Sequence, residues 1–518
     1  MNFETSRLAR RIPTEQIRCV GARFTMCAVV SFVLCTCMAA QENSGHHLRY
    51  RVVEIGTFGG PTSLFNGGTR AITDDGRVVG AADTAELDLN APDNCFEGPA
   101  CMVQHAWEWR EGRLKDLGVL ADGYSSYTNA ITARGLVVGQ SQNAGIDPLT
   151  GAPVLFLATV WDHGKIKNLG TLGGGNSIAV AATDQNFVMG AAENGIPDTL
   201  GFPGFDGVSQ IFAFGWSGGK IFNLGDLGGP GAFPSDMNNH GQVVGTSLTS
   251  SVPGPFGVGS TAPFLWENGR GMRNLGSLGG GFGGAAAINE RGQVVGGSNL
   301  EGDQAQHAFF WEHGKMHDLG GLGGHYSNAN QLNKVGEVIG LSTTIGDQTN
   351  HAVLWKQGKM IDLGLVSGDN ASNAFGINSQ GQVVGQSWFW DGHEVTASHA
   401  FLWENGGPMV DLNTLVCNST DLQLIEADLI NDSGWIVSYA LRPNGDLRAA
   451  ILIPNCDQDS SDDSNMSASA TNGAVGSSRS VARLTPQMKA VLQTRIERSF
   501  RRGLPPRSWP IVLTRQQP

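Results

Sequence analysis

The residues best suited by type to do chemistry are four histidines, His105, His307, His351 and His399, which recur at one position of a repeated motif, each followed by alanine. Imidazole serves as a metal ligand or an acid–base group, so a recurring histidine invites both readings. Equivalent positions of a repeat lie on separate structural units, and their side chains converge only if they face a common axis. In a four-stranded unit this histidine falls on the third strand, away from the axis, so a packing or hydrogen-bonding role is expected. Asp83, Glu86, Asp88 and Asp93 share one long loop in a loose calcium-like pattern without EF-hand spacing. No Gly-x-Ser-x-Gly elbow or His-Glu-x-x-His helix is present, and Leu278-Gly279-Gly280-Gly281 lacks the lysine and following helix of a phosphate-cradling loop. The sequence predicts no catalytic residue, no metal and no cofactor.

Binding chemistry has better candidates. Trp388-Phe389-Trp390, followed by Asp391-Gly392, lengthens one hairpin with aromatics that can stack on a sugar ring or a protein partner. Cross-strand pairing within the hairpin is the plainer use of the same residues. Phe202 and Phe205, in the corresponding loop of the third repeat, complete the expected ligand-binding set.

The elements that position these residues come from one unit repeated between residues 51 and 454. Its landmark is Gln-Val-Val-Gly and variants, ending at Gly80, Gly139, Gly190, Gly245, Gly296, Gly340 and Gly385 at spacings of 44 to 59, with Trp435-Ile436-Val437-Ser438 as a degenerate eighth. Each unit holds four short apolar runs bounded by Gly, Asn and Asp, the pattern of strands and not of helices. The turn between the first two runs reads Asn289-Glu290-Arg291-Gly292 in the fifth unit, with glycine supplying a positive φ; in the third unit Asn186 takes that place. Trp109, Trp161, Trp216, Trp266, Trp311, Trp355 and Trp403 share one position and read as wedges between neighbouring sheets. From each of the first six to the next valine-run glycine there are 29 or 30 residues, whereas from that glycine to the alanine after the histidine position the gap runs from 12 to 26. The variation is confined to the loop between the second and third strands, on the face opposite both tight turns.

These features predict an all-β fold, an eight-bladed β-propeller of four-stranded blades, with a seven-bladed ring or an open β solenoid as alternatives. Tyr50–Gly56 is a lone fourth strand and Arg448–Pro454 a lone third strand, so their pairing would close the last blade and remove its edges.

Flanking segments frame this body, residues 41–456. Residues 1–40 read as a secretory signal, with Arg7, Arg10, Arg11, Arg18 and Arg23 ahead of the apolar stretch Phe24–Met38. That stretch is too short for a membrane span. Residues 457–482 read as a disordered linker, and 483–518 as a basic tail with a short amphipathic helix capped by Thr485 and striped by Met488, Leu492, Ile496 and Phe500. The helix is expected to dock on the acidic body, with a membrane surface as the alternative. Cys95, Cys101, Cys417 and Cys456 remain after signal removal, and an even count in an exported chain favours disulfides, by proximity Cys95 with Cys101 and Cys417 with Cys456, although three pairings are open.

His307-Ala308-Phe309-Phe310-Trp311 and His399-Ala400-Phe401-Leu402-Trp403, with Asp318–Gly324 and Gly381–Gly385, resemble the HAF-repeat family of extracellular bacterial proteins. The resemblance covers about residues 51–454. It implies export and a propeller-like fold, and no activity. Leu157, Phe212, Ala262 and Arg448 replace the histidine in four units, so no function needing it in every blade is implied.

Composition narrows function further. Gly is 73 of 518 residues beside 40% apolar residues, which suits many short strands and excludes a disordered chain. Without residues 1–40 there are 29 Lys and Arg against 45 Asp and Glu, a net charge of −16, which argues against nucleic acid as partner. The favoured reading is a secreted or periplasmic noncatalytic binding or scaffold protein, recognising a glycan or a protein through its variable-loop face. The alternative is a propeller enzyme, a lyase or glycan hydrolase. Converging carboxylates or histidines at the axial mouth would favour the enzyme, and an apolar mouth the binder.

Overall fold

The computed structural model describes residues 48–65, 70–88, 101–151, 156–202, 204, 205, 207–253, 258–456, 484–486, 488, 489, 492 and 493. The expected signal 1–40, the linker 457–482, Asp93, Cys95, Ile496 and Phe500 lie outside them.

The described residues form antiparallel sheets, six of four strands and one in which two four-stranded groups meet through the single parallel pair Gln306↔Tyr326. Each group is one sequence repeat, numbered here as units 1 to 8. Unit 5 is a simple meander of Gly279–Ile288, Val294–Leu300, Gln306–Glu312 and Lys315–Asp318. Both faces of each sheet pack on neighbours, so a second strand such as Val243–Leu248 is buried at every residue and its sequence is a run and not an alternation. Unit 8 joins the two ends of the chain. Gln423–Ile430, Ile436–Leu441 and Leu447–Pro454 are completed by Tyr50–Glu54, in register from Tyr50↔Pro454 to Glu54↔Ala450.

The valine-run glycine is set by close approach and not by a turn. In units 2 to 8 the first strand carries a bulge, between Thr128 and Ala130 in unit 2 and Ala374 and Gly376 in unit 7, for example. There a carbonyl of the first strand presses against the second: a Cβ on Gly139, Gly340 or Gly385 would collide with the carbonyl oxygen of Tyr127, Asn328 or Asn373. Unit 8 carries a side chain at this position because its first strand has an additional bulge between Leu424 and Glu426. Ser438 Oγ then donates to the Glu426 carbonyl at 2.7 Å.

Turn asparagines do more than cap their own turns. Asn289 Oδ1 accepts from the N–H groups of Arg291 and Gln293, while its Nδ2 reaches the Asn333 carbonyl of the next unit at 3.1 Å. The same link runs from Asn238 to Asn289, Asn333 to Asn378, Asn378 to Asn431 and Asn431 to Thr73. The last of these joins unit 8 to unit 1. Thr73, Thr132 and Thr183 in units 1 to 3 keep the local cap through Oγ1, but have no amide to extend to a neighbour. Asn186 takes φ 63°, the left-handed conformation expected where it replaces glycine. Asn431→Thr should therefore keep its turn and lose only the link to unit 1, costing about 1 kcal/mol, whereas Asn431→Ala also strands buried donors and should cost about 2–3 kcal/mol. Urea melts of the two variants check this.

Unit also packs on unit through the tryptophans. Trp311 clusters with Val244 and Leu265 of the preceding unit, and Trp355 with Ala287, Val295 and Ala308. A serine at the start of the first strand makes a second bridge. Ser372 Oγ accepts from the Ala352 N–H and donates to the Gly364 carbonyl, both in the unit before. Ser63 does the same across the chain ends, accepting from the Ala449 N–H and donating to the Ile55 carbonyl.

Candidate functional site

Three of the four recurrent histidines turn to the fourth strand of their own sheet. His105, His307 and His351 place Nδ1 at 2.8, 2.9 and 2.9 Å from Asp116, Asp318 and Asp362. Each aspartate also caps the N–H of the glycine two residues on, Gly118, Gly320 or Gly364. In units 2 to 4, where the histidine is absent, Asn168, Asn223 and Asn274 hold the aspartate position and make the same cap. The negative charge is thus present where a histidine is there to meet it. In unit 8 Arg448 and Glu54 play the two parts at 3.0 Å, across the chain ends. The histidines are hydrogen-bonding elements of the scaffold, spread over separate units.

Burial acts to raise the Asp362 carboxyl, but hydrogen bonds from His351 and the Gly364 N–H, with the His351 charge, outweigh it and hold the group below its ordinary value. A depressed folded pKa stabilises above the unfolded value of about 3.9 and ceases to do so as pH falls through the folded one. The double variant His351→Leu/Asp362→Asn, which copies Leu157 and Asn168 of unit 2, should keep its stability at pH 7 within about 1 kcal/mol because the pair is part-exposed. Its stability should fall less steeply between about pH 5 and 2. Denaturant melts across that range read both effects.

His399 of unit 7 differs. It lies 2.9 Å from Asp369, whose side chain is only 1% exposed. Burial opposes its charge, but the bond to Asp369 and the charges of Asp369 and Asp411 prevail, raising its pKa. Burial raises the Asp411 carboxyl.

The ends of the first strands and their turns converge on a cavity of about 240 Å³ lined by Arg70, Asp74, Asp236, Glu290, Lys334 and Asp432, among others. Carboxylates do meet at this mouth, which is not the apolar mouth foreseen for a binder. Each is engaged by a neighbouring unit. Asp236 receives Arg70 and the Ile288 N–H, Glu290 the Asn239 N–H, and Asp432 both Lys334 and the Ser379 N–H. Asp74 accepts from the Asp432 N–H at 3.3 Å. The hydrogen bond that Lys334 donates to Asp432 raises the Lys334 pKa although burial opposes it. These groups tie turns together. Among the described residues no cluster of three or more His, Cys, Asp or Glu is arranged to hold a metal. Asp83 of the calcium-like loop is buried against the Thr62 N–H and Gln104, and Asp88 is also buried.

The aromatic candidates separate. Trp388 is 3% exposed and packs in the core with Ala371 and Val395, and Phe202 is 1% exposed among Leu200, Ile211 and Leu248. Neither can reach a ligand, a correction to the expected set: strand alternation directs Trp388 inward, and loop packing encloses Phe202. Phe205 is part-buried against Phe156. Phe389 and Trp390 are each 37% exposed, since a bulge between them turns both outward. Asn370 holds their strand through the Trp390 N–H and carbonyl.

These two belong to a larger set that sequence reading missed. Among the described residues thirteen large apolar side chains are exposed, and nine of them, Leu87, Ile146, Leu149, Ile196, Val208, Val252, Ile345, Phe389 and Trp390, sit on the connections between second and third strands or at the second-strand ends that lead into them. Those connections share a face with the crossovers between units: Asp303 caps the Gly281 N–H and Asp347 the His325 N–H. The C-terminal segment lies on the same face, with Leu484, Met488 and Leu492 buried in the cluster that holds Trp388, Val395, Leu441 and Leu447. Thr485 Oγ1 accepts from the Met488 N–H as the expected cap, and Lys489 pairs with Glu394. A disulfide joins Cys417 to Cys456, and Cys101 is also disulfide-bonded.

Compared with known proteins, the chain matches no family model and no curated protein. Among solved structures it is similar to Pyrococcus horikoshii acylaminoacyl peptidase (13% identity, TM-score 0.36, covering 65% of this chain and 53% of that one). It is also similar to the β-propeller domain of the Trilobed protease from Pyrococcus furiosus (11%, 0.37, 63% and 93%). A third is Trypanosoma rangeli sialidase in complex with sialic acid (10%, 0.33, 86% and 61%). The chain spans about half the length of the peptidase. Similarity this slight carries no argument about what the chain does.

Proposed function

We propose that this chain is a closed eight-bladed β-propeller of HAF-type repeats that works outside the cytoplasm as a noncatalytic binding protein, docking a protein partner on its variable-loop face. Closure is supported by four devices that recur between successive units or strands and are repeated where the chain ends meet: strand pairing, the Asn431 link, the Ser63 bridge and the Arg448–Glu54 pair. Export is supported by the disulfide between Cys417 and Cys456.

The observation that carries the binding function is the bias of exposed large apolar side chains to that one face, nine of the thirteen among the described residues, since exposed apolar surface on a face marks a contact surface. Most are branched aliphatics, which suit a protein surface; Phe389 and Trp390 are the aromatics that could stack on a sugar. The test is an array of extracellular proteins and glycans probed with the intact protein and with the variant Ile345→Ser/Trp390→Ser. Selective binding to a protein, weakened about ten-fold or more in the variant, is the expected result. Binding only to glycans, or binding indifferent to the variant, would overturn the reading. The converging carboxylates Asp74, Glu290 and Asp432 favour the enzyme alternative, and a lyase or hydrolase activity lost in Glu290→Gln would establish it.

A further inference from the structure

The repeat places two side chains opposite each other near the tight turns, the residue before the valine run and the residue after the tryptophan. In units 4, 5 and 7 they are Gln242 and Glu267, Gln293 and Glu312, and Gln382 and Glu404, hydrogen-bonded at 2.8, 2.6 and 2.7 Å. In unit 6 they are Glu337 and Lys356, an ion pair at 2.6 Å. In unit 1 they are Arg77 and Arg110. Two cations occupy a position that in units 4 to 7 holds a matched pair and in units 2 and 3 an uncharged side chain, Leu136 or Phe187, before the run.

Neither arginine is neutralised by the other strand. Arg77 turns to Asp75 at 3.1 Å and to the Ala133 carbonyl of unit 2, and Arg110 approaches the exposed Glu111 at 3.5 Å. Both line a groove of about 350 Å³ between units 1 and 2, with Lys115 and Arg134 on its walls beside Trp161. Of its two carboxylates, Glu108 and Asp116, the second is committed to His105 and the Gly118 N–H. Basic residues on exposed fourth strands have another use, since Arg113, Lys165, Lys220, Lys315 and Lys359 recur there and guard sheet edges. Arg77 leads into the second strand, and Arg110, although opposite Arg113 in the register, belongs to the third, so neither is part of that edge. Gathering like charges costs free energy, and guanidinium groups offer paired donors matched to oxyanions.

We propose that this groove is a binding site for an oxyanion group, phosphate or sulfate, held by Arg77, Arg110 and Arg134. Its volume falls within the roughly 300–1,000 Å³ of small-ligand sites, so a sugar carrying such a group can enter with it. The site is independent of the variable-loop face, which lies on the other side of the units.

Isothermal titration of the intact protein with inorganic phosphate and, separately, inorganic sulfate at low salt tests this. Saturable binding of at least one anion is expected, and comparison of the arms identifies the group. The variant Arg77→Gln/Arg110→Glu installs the pair of units 4, 5 and 7, so it should fold with an unchanged or higher Tm while weakening binding about ten-fold or more. Arg113→Gln, on the edge strand, should bind as the native chain does. Absence of saturable binding for both anions, or equal binding by the double variant, would overturn the proposal.

Discussion

Gly385→Val is expected to destabilise the fold by at least about 3 kcal/mol, seen as a lower urea midpoint. The added side chain would meet the Asn373 carbonyl and the Phe401 ring. The ring belongs to a closely packed core, and the carbonyl is fixed by the bulge between Ala374 and Gly376, so neither obstacle can swing aside as an exposed side chain would. The reverse change in unit 8, Ser438→Gly, should be far milder, about 1–2 kcal/mol, from loss of the bond to the Glu426 carbonyl and the greater freedom of glycine in the unfolded chain. If both changes proved equally mild, the close-approach account of the repeated glycine would fail.

Removing the disulfide as Cys417→Ser/Cys456→Ser should cost about 4 kcal/mol by loop-closure entropy for a separation of 39 residues. The loss should be felt first at the strand Tyr50–Glu54. The segment around Cys417 grips that strand: the Cys417 N–H donates to the Tyr50 carbonyl, and the Asn418 side chain bonds both the N–H and the carbonyl of Val52. The bridge fixes this clasp to the end of the third strand at Cys456. Hydrogen exchange should therefore show residues 50–54 losing protection in the variant before the middle of unit 5 does. Uniform loss across all units would mean that the bridge acts on the whole fold at once.

What could be read in advance follows from how local each cause is. Strand runs, the glycine turns, Asn186 in its left-handed place and Thr485 as a helix cap depend on near neighbours, and periodicity exposes them. The pairing of Tyr50–Glu54 with Leu447–Pro454 was legible because each run lacked the partner the other supplies. The asparagine link was not, since it depends on the distance between turns of different units, 3.1 Å from Asn289 to Asn333. Histidine with aspartate and its absence with asparagine stand side by side in the sequence, but mean something only once the two strands are seen as partners. Phe389 and Trp390, neighbours in the chain, are both exposed because of a bulge between them that composition does not reveal. The apolar set on the loop face was not legible because residues such as Val252 and Ile345 are isolated along the chain and share a face only once the units are folded.

The union of the chain's ends bears on how the protein comes into being. Arg448 and Glu54 meet although 394 residues separate them, so this sheet has the longest-range contacts of any unit. Contacts of that range form late and slowly. A chain emerging from its N-terminus presents Tyr50–Glu54 first and Leu447–Pro454 among the last of the repeats, so the opening strand waits without its partner while seven other units are made. An unpaired strand is a hazard, but this one is short and carries Arg51 and Glu54, which discourage chance pairing during the wait. Vectorial emergence and the final pairing together make assembly conditional on the last repeat, so a chain truncated before Leu447 is expected to keep an open edge and to associate with others of its kind.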